Sequence, residues 1–303
     1  MPRVSILLTC YNHKKFIPVA LDSIRAQTFT DYEIIALDDG STDGTREWLA
    51  DQTGIRVVFN EQNLGTYGTL NKGLDYATGE YIAVFNDDDV WMPTKLEKQV
   101  ALLDSNPKVG LVHTEGEFID GEGNIMEGEP LGFKFPRFET GDILLDLVYE
   151  NKVIASAALF RRSIVDEIGG FNEFYFGSGD WEMWFRIAER YDVGCVNEKL
   201  SQYRVHGANA SHKLEKIWRD DERLRDWMIP RLEDLGDRFP NEKVQAAIAH
   251  CWAALGTVRM LNGDARSARA AYRASMHVMP GRIKNYLRFA ATFAGKKVFR
   301  KLL

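Results

Sequence analysis

Three polar clusters, each following a short apolar run, hold the residues able to do chemistry: Thr9-Cys10-Tyr11-Asn12, Asp38-Asp39-Gly40-Ser41-Thr42-Asp43-Gly44 and Asn86-Asp87-Asp88-Asp89. Three consecutive carboxylates behind the apolar run 81–85 are electrostatically costly unless a cation meets them. Hard oxygen donors select Mg2+ or Mn2+, which bind through one or two carboxylates and fill their shell with water and diphosphate oxygens. Ser41 to Gly44 read as a turn followed by a helix cap. Asp38 and Asp39 do not, because neighbouring carboxylates at the end of a buried strand need hydrogen donors, which a nucleotide base or ribose supplies.

Such clusters converge only if strands deliver them to one side. Apolar runs at 4–8, 33–37, 55–59 and 81–85 alternate with helical patterns at 16–24, 45–50 and 67–77, the signature of βαβ units and a mostly parallel sheet. Ligands of such sheets collect beyond the carboxyl ends of the strands, so all three clusters are expected at one crevice. Further strands are expected at 109–113, 157–161 and 202–205, and helices at 94–103, 141–149 and 181–191. Beyond 211 long helical patterns take over at 214–235, 242–261, 265–278 and 282–293. The expected organisation is a catalytic α/β domain over 1–212 and a helical domain over 213–303. In the latter, Trp252, Leu255, Gly256, Ala268, Tyr272, Ala274 and Pro280 resemble one tetratricopeptide-like hairpin; a plain helical extension is the alternative.

The stretch from Val4 to Asn12, the Asp38 to Thr45 turn, Asn63-Leu64-Gly65 and Asn71-Lys72-Gly73 form an ordered series with Gly79-Glu80-Tyr81-Ile82 and the segment from Asn86 to Pro93. Gly169-Gly170-Phe171, the stretch from Gly179 to Arg186 and that from Tyr203 to Ser211 complete it. Over about the first 210 residues the chain thereby resembles glycosyltransferase family 2 enzymes of the GT-A fold, a Rossmann-like sheet flanked by helices. The resemblance implies that Thr9, Tyr11 and Asp39 contact the nucleoside, with Asp38 and Gly65 beside them, and that Asp87 meets the ribose. Asp88 becomes the principal ligand of Mn2+ or Mg2+ at the diphosphate, joined by His206. The family's usual Asp-x-Asp stands here as Asn86-Asp87-Asp88, and the often acidic residue before Asp180 is Gly179.

The implied reaction moves a hexose from a nucleoside diphosphate sugar, UDP-linked by expectation, to a hydroxyl of a saccharide or lipid-linked acceptor, with inversion. The setting expected is bacterial-type surface polysaccharide synthesis. An attacking hydroxyl needs a base. Asp180, at the start of a helix whose dipole favours a carboxylate, is the candidate, and Glu182 competes with it. Side chains two apart on a helix point about 200° apart, so only one of the two enters the cleft. Trp181 and the loop residues Phe174, Tyr175 and Phe176 are candidates for the acceptor side, with Tyr175 and Trp181 preferred; Trp184 reads as core. The segment 116–138 is a candidate flap. The competing expectation is a non-catalytic sugar-nucleotide-binding or scaffold protein, against which stand Asp39, Asp88, Asp180 and His206.

Charge is unevenly distributed. Residues 265–303 hold ten Lys/Arg and no acid, leaving 28 basic against 44 acidic residues, or −16, in the first 264. Nucleic acid is thereby excluded as a partner of the main body. The basic segment also carries Leu287, Phe289, Phe293, Val298, Phe299, Leu302 and Leu303, a combination suited to an anionic membrane surface. Cys10, Cys195 and Cys251 are scattered and odd in number, which fits a reducing compartment. With no signal-peptide pattern and no apolar run near ~20 residues, a cytoplasmic protein is expected, peripheral at the inner face of the plasma membrane. In that compartment the Asn209-Ala210-Ser211 sequon would go unmodified.

Overall fold

The computed structural model describes residues 1–207, 209 and 212–302. Ala208, Ala210 and Ser211, from the His206 motif and the sequon, and the tail residue Leu303 lie outside the described residues. The chain divides into two compact units, Met1–Ile143 with Lys152–Asn209, and Leu144–Asn151 with Ala210–Leu303. A single boundary at 212 thus misses an excursion: the apolar Leu147 and Val148 are buried in the helical unit, not in the α/β unit.

The first unit is built on β1 (Val4–Cys10), β2 (Tyr32–Asp38), β3 (Arg56–Phe59), β4 (Tyr81–Asn86), β5 (Val90–Trp91), β6 (Val109–Ile119), β7 (Ile125–Met126), β8 (Leu159–Arg161) and β9 (Asp192–Arg204). Among the described residues these form one nine-stranded sheet in the order β3-β2-β1-β4-β8-β6-β9-β5, with β7 on β6. The half from β3 to β4 is parallel. The other half is mixed, because β8 runs antiparallel to both β4 and β6. In β1, Cys10 lies opposite Asp38 and Thr9 opposite Asn86, so the three polar clusters begin at one level of the sheet.

Helices α1 (Ile17–Arg25), α2 (Thr45–Ala50), α3 (Gly65–Tyr76) and α4 (Lys95–Ser105) follow strands of this sheet, and α6 (Ser163–Ile168) and α7 (Gly179–Ala188) follow β8; α5 (Asp146–Tyr149) belongs to the second unit. Pro18 sits in the first turn of α1, where its missing N–H costs little. Ile6, Leu8, Ala83 and Phe85 bury one sheet face against Ile17, Leu21, Trp91 and Leu96. Each such large apolar side chain contributes roughly 1.5–3 kcal/mol, which fixes the strand ends that carry the polar residues.

Several expected bounds move. The strand expected at 202–205 begins at Asp192, its apolar pattern masked by the polar Asn197-Glu198-Lys199 in its middle. β6 continues past His113 through Thr114-Glu115-Gly116-Glu117, where it pairs with β9. The helix expected at 141–149 keeps only Asp146–Tyr149, because Gly141 bridges to Val193 instead.

His113 is fully buried on β6 between Phe135 and Phe138. Its Nε2 donates to the Pro136 carbonyl at 3.2 Å and Nδ1 has no partner among the described residues. Burial pushes its pKa down to about 3. A folded-state value below the unfolded one means stability is complete above about pH 6.5 and is lost progressively as pH falls toward 3. The replacement His113→Phe is expected to flatten that acid limb in thermal melts between pH 4 and 7, at a cost of about 1 kcal/mol for the lost hydrogen bond. An unchanged acid limb would show that other groups govern it.

The second unit is helical: α8 (Leu214–Glu233), α9 (Asn241–Asn262), α10 (Ala265–Val278), α11 (Ile283–Ala291) and α12 (Lys296–Phe299). Gly263 ends α9 in the left-handed region, and Asp264 caps α10 by accepting from the Ser267 N–H at 2.9 Å. Gly256 lies against the Tyr272 ring, letting α9 and α10 approach closely. Among the described residues no helix is long and apolar enough to cross a membrane. The three cysteines are free and buried.

Candidate active site

The three carboxylates after β4 have three different environments. Asp89 is buried, accepting from the Arg204 backbone N–H at 2.9 Å and from the Ser156 hydroxyl. Burial, with the charge of Asp88 behind it, pushes Asp89 well above the usual carboxylate range. Asp87 accepts from the Tyr11 N–H at 3.2 Å and holds His13 Nδ1 at 2.7 Å. Asp88 Oδ2 lies 3.0 Å from His206 Nε2 and 3.4 Å from Asn209 Nδ2. Arg204, two residues before His206, locks the loop by donating to the carbonyls of Asp88 at 2.7 Å and Asp120 at 2.9 Å.

Burial pushes Asp87 up to about 6, the charge of Asp88 adding to the rise and His13 opposing it. Burial works to lower His13, yet its bond to Asp87 and the charges of Asp87, Asp88 and Asp43 carry it up to about 9. The two shifts belong to one buried His13–Asp87 pair, and His13 offers a lone pair to an ion only once its Nε2 proton is lost.

His13, Asp88 and His206 form a group whose ligating atoms all lie within 4.8 Å of one another. Donors of one octahedral ion stand about 3 Å apart in cis and about 4 Å in trans. The Asp88–His206 spacing is already that of cis donors, and small side-chain motion brings in the third residue. Two imidazoles beside one carboxylate suit a first-row divalent ion such as Mn2+ and not Mg2+, which takes oxygen donors, so of the two expected ions the residues present fit Mn2+. His13 escaped sequence reasoning; its signal was its place directly after Tyr11-Asn12, three residues past the end of β1.

Asp38 and Asp39 are buried, but protein donors meet both. Asp38 takes Arg46 at 3.3 Å and the Ser41 N–H at 3.3 Å. Asp39 takes Asn60 Nδ2 at 3.0 Å and the N–H groups of Leu64 and Gly65 at 2.7 and 3.0 Å, the open start of α3. The hydrogen donors expected to meet these two carboxylates are thus supplied at least in part by the protein, by Arg46 for Asp38 and by the start of α3 for Asp39. Gly65 permits this with φ +77°. Thr9 Oγ1 sits 3.2 Å from Asn86 Oδ1. Tyr11 stays 47% exposed beside Asp87, leaving its ring free for a planar ligand. Asn12 takes a left-handed backbone at φ +55° and ties the first two clusters together: its side chain accepts from the Thr42 N–H at 2.8 Å and its N–H donates to Ser41 Oγ at 3.0 Å.

Asp180 lies in the first turn of α7, half-buried, with the Tyr67 hydroxyl 3.4 Å from its Oδ1. Its competitor Glu182 is buried in a two-pronged pair with Arg186 at 2.9 Å, whose guanidinium also holds the carbonyls of Ile168 and Gly170. Glu182 thus braces the helix, and of the two Asp180 alone has the exposure a base requires. Trp184 is core, donating to the Val153 carbonyl at 3.1 Å. Trp181 is half-buried. Tyr175 is only 8% exposed, against 85% for Phe174, so the ring with surface to offer an acceptor is Phe174. No hydrogen bond among the described ones links Asp180 to the Asp87–Asp88 cluster directly.

The family model "Glycosyl transferase family 2" matches residues 5–169. An uncharacterised glycosyltransferase of Methanocaldococcus jannaschii is 30% identical over 223 residues, 71% of this chain and 74% of that protein. Another, from Nostoc, is 30% identical over 219 residues, 68% of this chain and 66% of its own length. Among solved structures, S. aureus TarS (1–349) in complex with UDP-GlcNAc superposes with a TM-score of 0.71 at 15% identity, covering 99% of this chain and 90% of that one. A Pyrobaculum calidifontis mannosyltransferase in complex with GDP-Man and Mn2+ does so with a TM-score of 0.63 at 19% identity, covering 99% and 86%. At those identities the structures establish the GT-A fold, and the sequence matches go further: the chain is a glycosyltransferase and belongs to glycosyl transferase family 2.

Proposed function

We propose that this glycosyltransferase is metal-dependent and inverting, moving a hexose from a UDP-linked sugar to a hydroxyl of a saccharide or lipid-linked acceptor in surface polysaccharide synthesis. The observation that carries the reading is the His13–Asp88–His206 group at the end of β4, beside the exposed Tyr11 ring. The nucleotides and Mn2+ held by the two structural relatives support a diphosphate sugar and a divalent cation.

In this reading Thr9, Tyr11, Asp38, Asp39 and Gly65 form the nucleoside side. Asp39 has one lone-pair position left on Oδ2 after its protein donors, enough for one ligand N–H or O–H. Asp87, expected at the ribose, also orients His13 through Nδ1, so that Nε2, once its proton is lost, would be left for the ion, the arrangement by which carboxylates fix ligating imidazoles. Asp88 and His206 would hold the cation with it. When bound, a divalent ion supplies counter-charge to the departing diphosphate. Asp180 accepts the proton of the acceptor hydroxyl as its oxygen attacks the anomeric carbon; the bond from that carbon to the diphosphate oxygen breaks on the opposite face, and configuration inverts. Trp181 and Phe174 flank the acceptor. The basic, apolar C-terminal segment holds the enzyme at an anionic membrane surface.

A panel of UDP-, GDP- and dTDP-sugars tests the donor assignment by thermal shift with Mn2+. A ligand that binds only the folded state at about 100 times its Kd adds about 2.7 kcal/mol, several degrees in Tm. UDP-sugars are expected to give the largest shift, abolished by EDTA. A larger shift from GDP-sugars overturns the nucleotide assignment, and a shift indifferent to EDTA overturns the metal.

A further inference from the structure

The helical unit contains a cavity of about 690 Å3 with an uneven charge. Arg225, Arg282, Lys284 and Arg288 line it, and its one acid, Asp221, is already paired with Arg225 at 2.9 Å. Arg282 spends one nitrogen on the Ala246 carbonyl at 3.1 Å. The Lys284 and Arg288 side chains make no hydrogen bond or ion pair among the described residues, so two cations stand uncompensated at one wall. His250 forms another part of the lining, its ring tilted against that of Tyr149 at 4.5 Å between centres. Burial pushes it down to about 4, with the charges of Arg225, Arg282 and Arg288 adding to the fall.

Helix α11 opens at this cavity, and three of its apolar residues, Ile283, Tyr286 and Leu287, are 74%, 46% and 59% exposed. At about 100° per residue they occupy one arc of the helix, and Lys284 and Arg288 occupy the adjoining arc. Asn285, on the inward side, is buried and donates to Ser275 at 2.8 Å, fixing the rotation of the helix. A cationic pocket bordered by an exposed apolar stripe matches an amphiphile whose anionic head enters the pocket and whose chain lies along the stripe.

We propose that this cavity is a binding site for the phosphate headgroup of a lipid, gripped by Arg282, Lys284 and Arg288, with Ile283, Tyr286 and Leu287 against the adjoining hydrocarbon. The proposal deepens the reading of the C-terminal segment as membrane-facing: it replaces diffuse attraction by a site that reads phosphate. The apolar arc decides for a lipid over a free phosphate ester, which would have no use for it.

Calorimetry on the full chain in EDTA, with inorganic pyrophosphate as the probe, tests the pocket. Binding is expected in the wild type and in Asp88→Ala, and about tenfold or weaker in the double variant Lys284→Ala/Arg288→Ala, both on the helix surface. No binding, or equal binding by the double variant, overturns the proposal. Flotation with phosphatidylcholine vesicles carrying phosphatidic acid or phosphatidylserine at matched surface charge tests the source. Preference for phosphatidic acid, competed by pyrophosphate and lost in both the double variant and Ile283→Ser/Leu287→Ser, supports a lipid. Pyrophosphate binding without vesicle preference overturns the lipid assignment. Equal flotation on both lipids, unchanged in the double variant, leaves peripheral association standing and overturns the pocket.

Discussion

Replacing Asp88 by Asn is expected to lower kcat/KM for sugar transfer by about three orders of magnitude, the equivalent of roughly 4 kcal/mol of transition-state stabilisation. Asp88 Oδ2 is the atom that His206 and Asn209 both approach, and neighbouring Asp87 and Asp89 are engaged with His13, Tyr11, Arg204 and Ser156. No adjacent carboxylate can take over without abandoning those partners. Asn keeps the shape and removes the charge, so the fold should survive and melting without ligand should change little. Stabilisation by UDP-sugar with Mn2+ should disappear in the same variant. His206→Ala should show a smaller defect that added Mn2+ partly restores. Near-wild-type turnover by Asp88→Asn would remove the basis of the metal reading.

Asp180→Asn is expected to reduce kcat by about 10²–10⁴ while the KM for donor holds, because a general base acts on the acceptor proton and not on the nucleotide. The control is Glu182→Ala. Breaking its buried pair with Arg186 should cost about 3 kcal/mol of stability, seen as a lower Tm, and should spare turnover at temperatures where the chain stays folded. A stable, active Asp180→Asn together with an inactive, well-folded Glu182→Ala would reverse the two roles.

The parallel half of the sheet was legible because its strands are short apolar runs that end abruptly in polar residues: Cys10 before Tyr11, Asp38 itself, Asn86 before Asp87. The expectation of a cation at the Asp87–Asp89 loop rested on charge density alone. What escaped was pairing over long separations. The His13–Asp87 bond spans 74 residues, and the donors that satisfy Asp39 come from Leu64 and Gly65, backbone groups no side-chain pattern announces. The Glu182–Arg186 pair has the i,i+4 spacing a sequence displays, but which face of α7 is buried is decided by Met183, Phe185 and Ile187 meeting the rest of the unit. Strand β9 was read short because polar residues in its middle face outward, where periodicity carries no apolar signal.

That strand couples folding to ligation. β9 ends at Arg204, whose side chain clasps the carbonyl of Asp88, and two residues later the same backbone presents His206 to the carboxylate of Asp88. Because its register with β6 is set by pairs as distant as Val109 with Asp192, the proposed seat for a cation is assembled when the sheet forms. Conformational entropy is thus surrendered during folding, so in the proposed function ion and nucleotide would meet a preorganised site with little ordering left to oppose their capture.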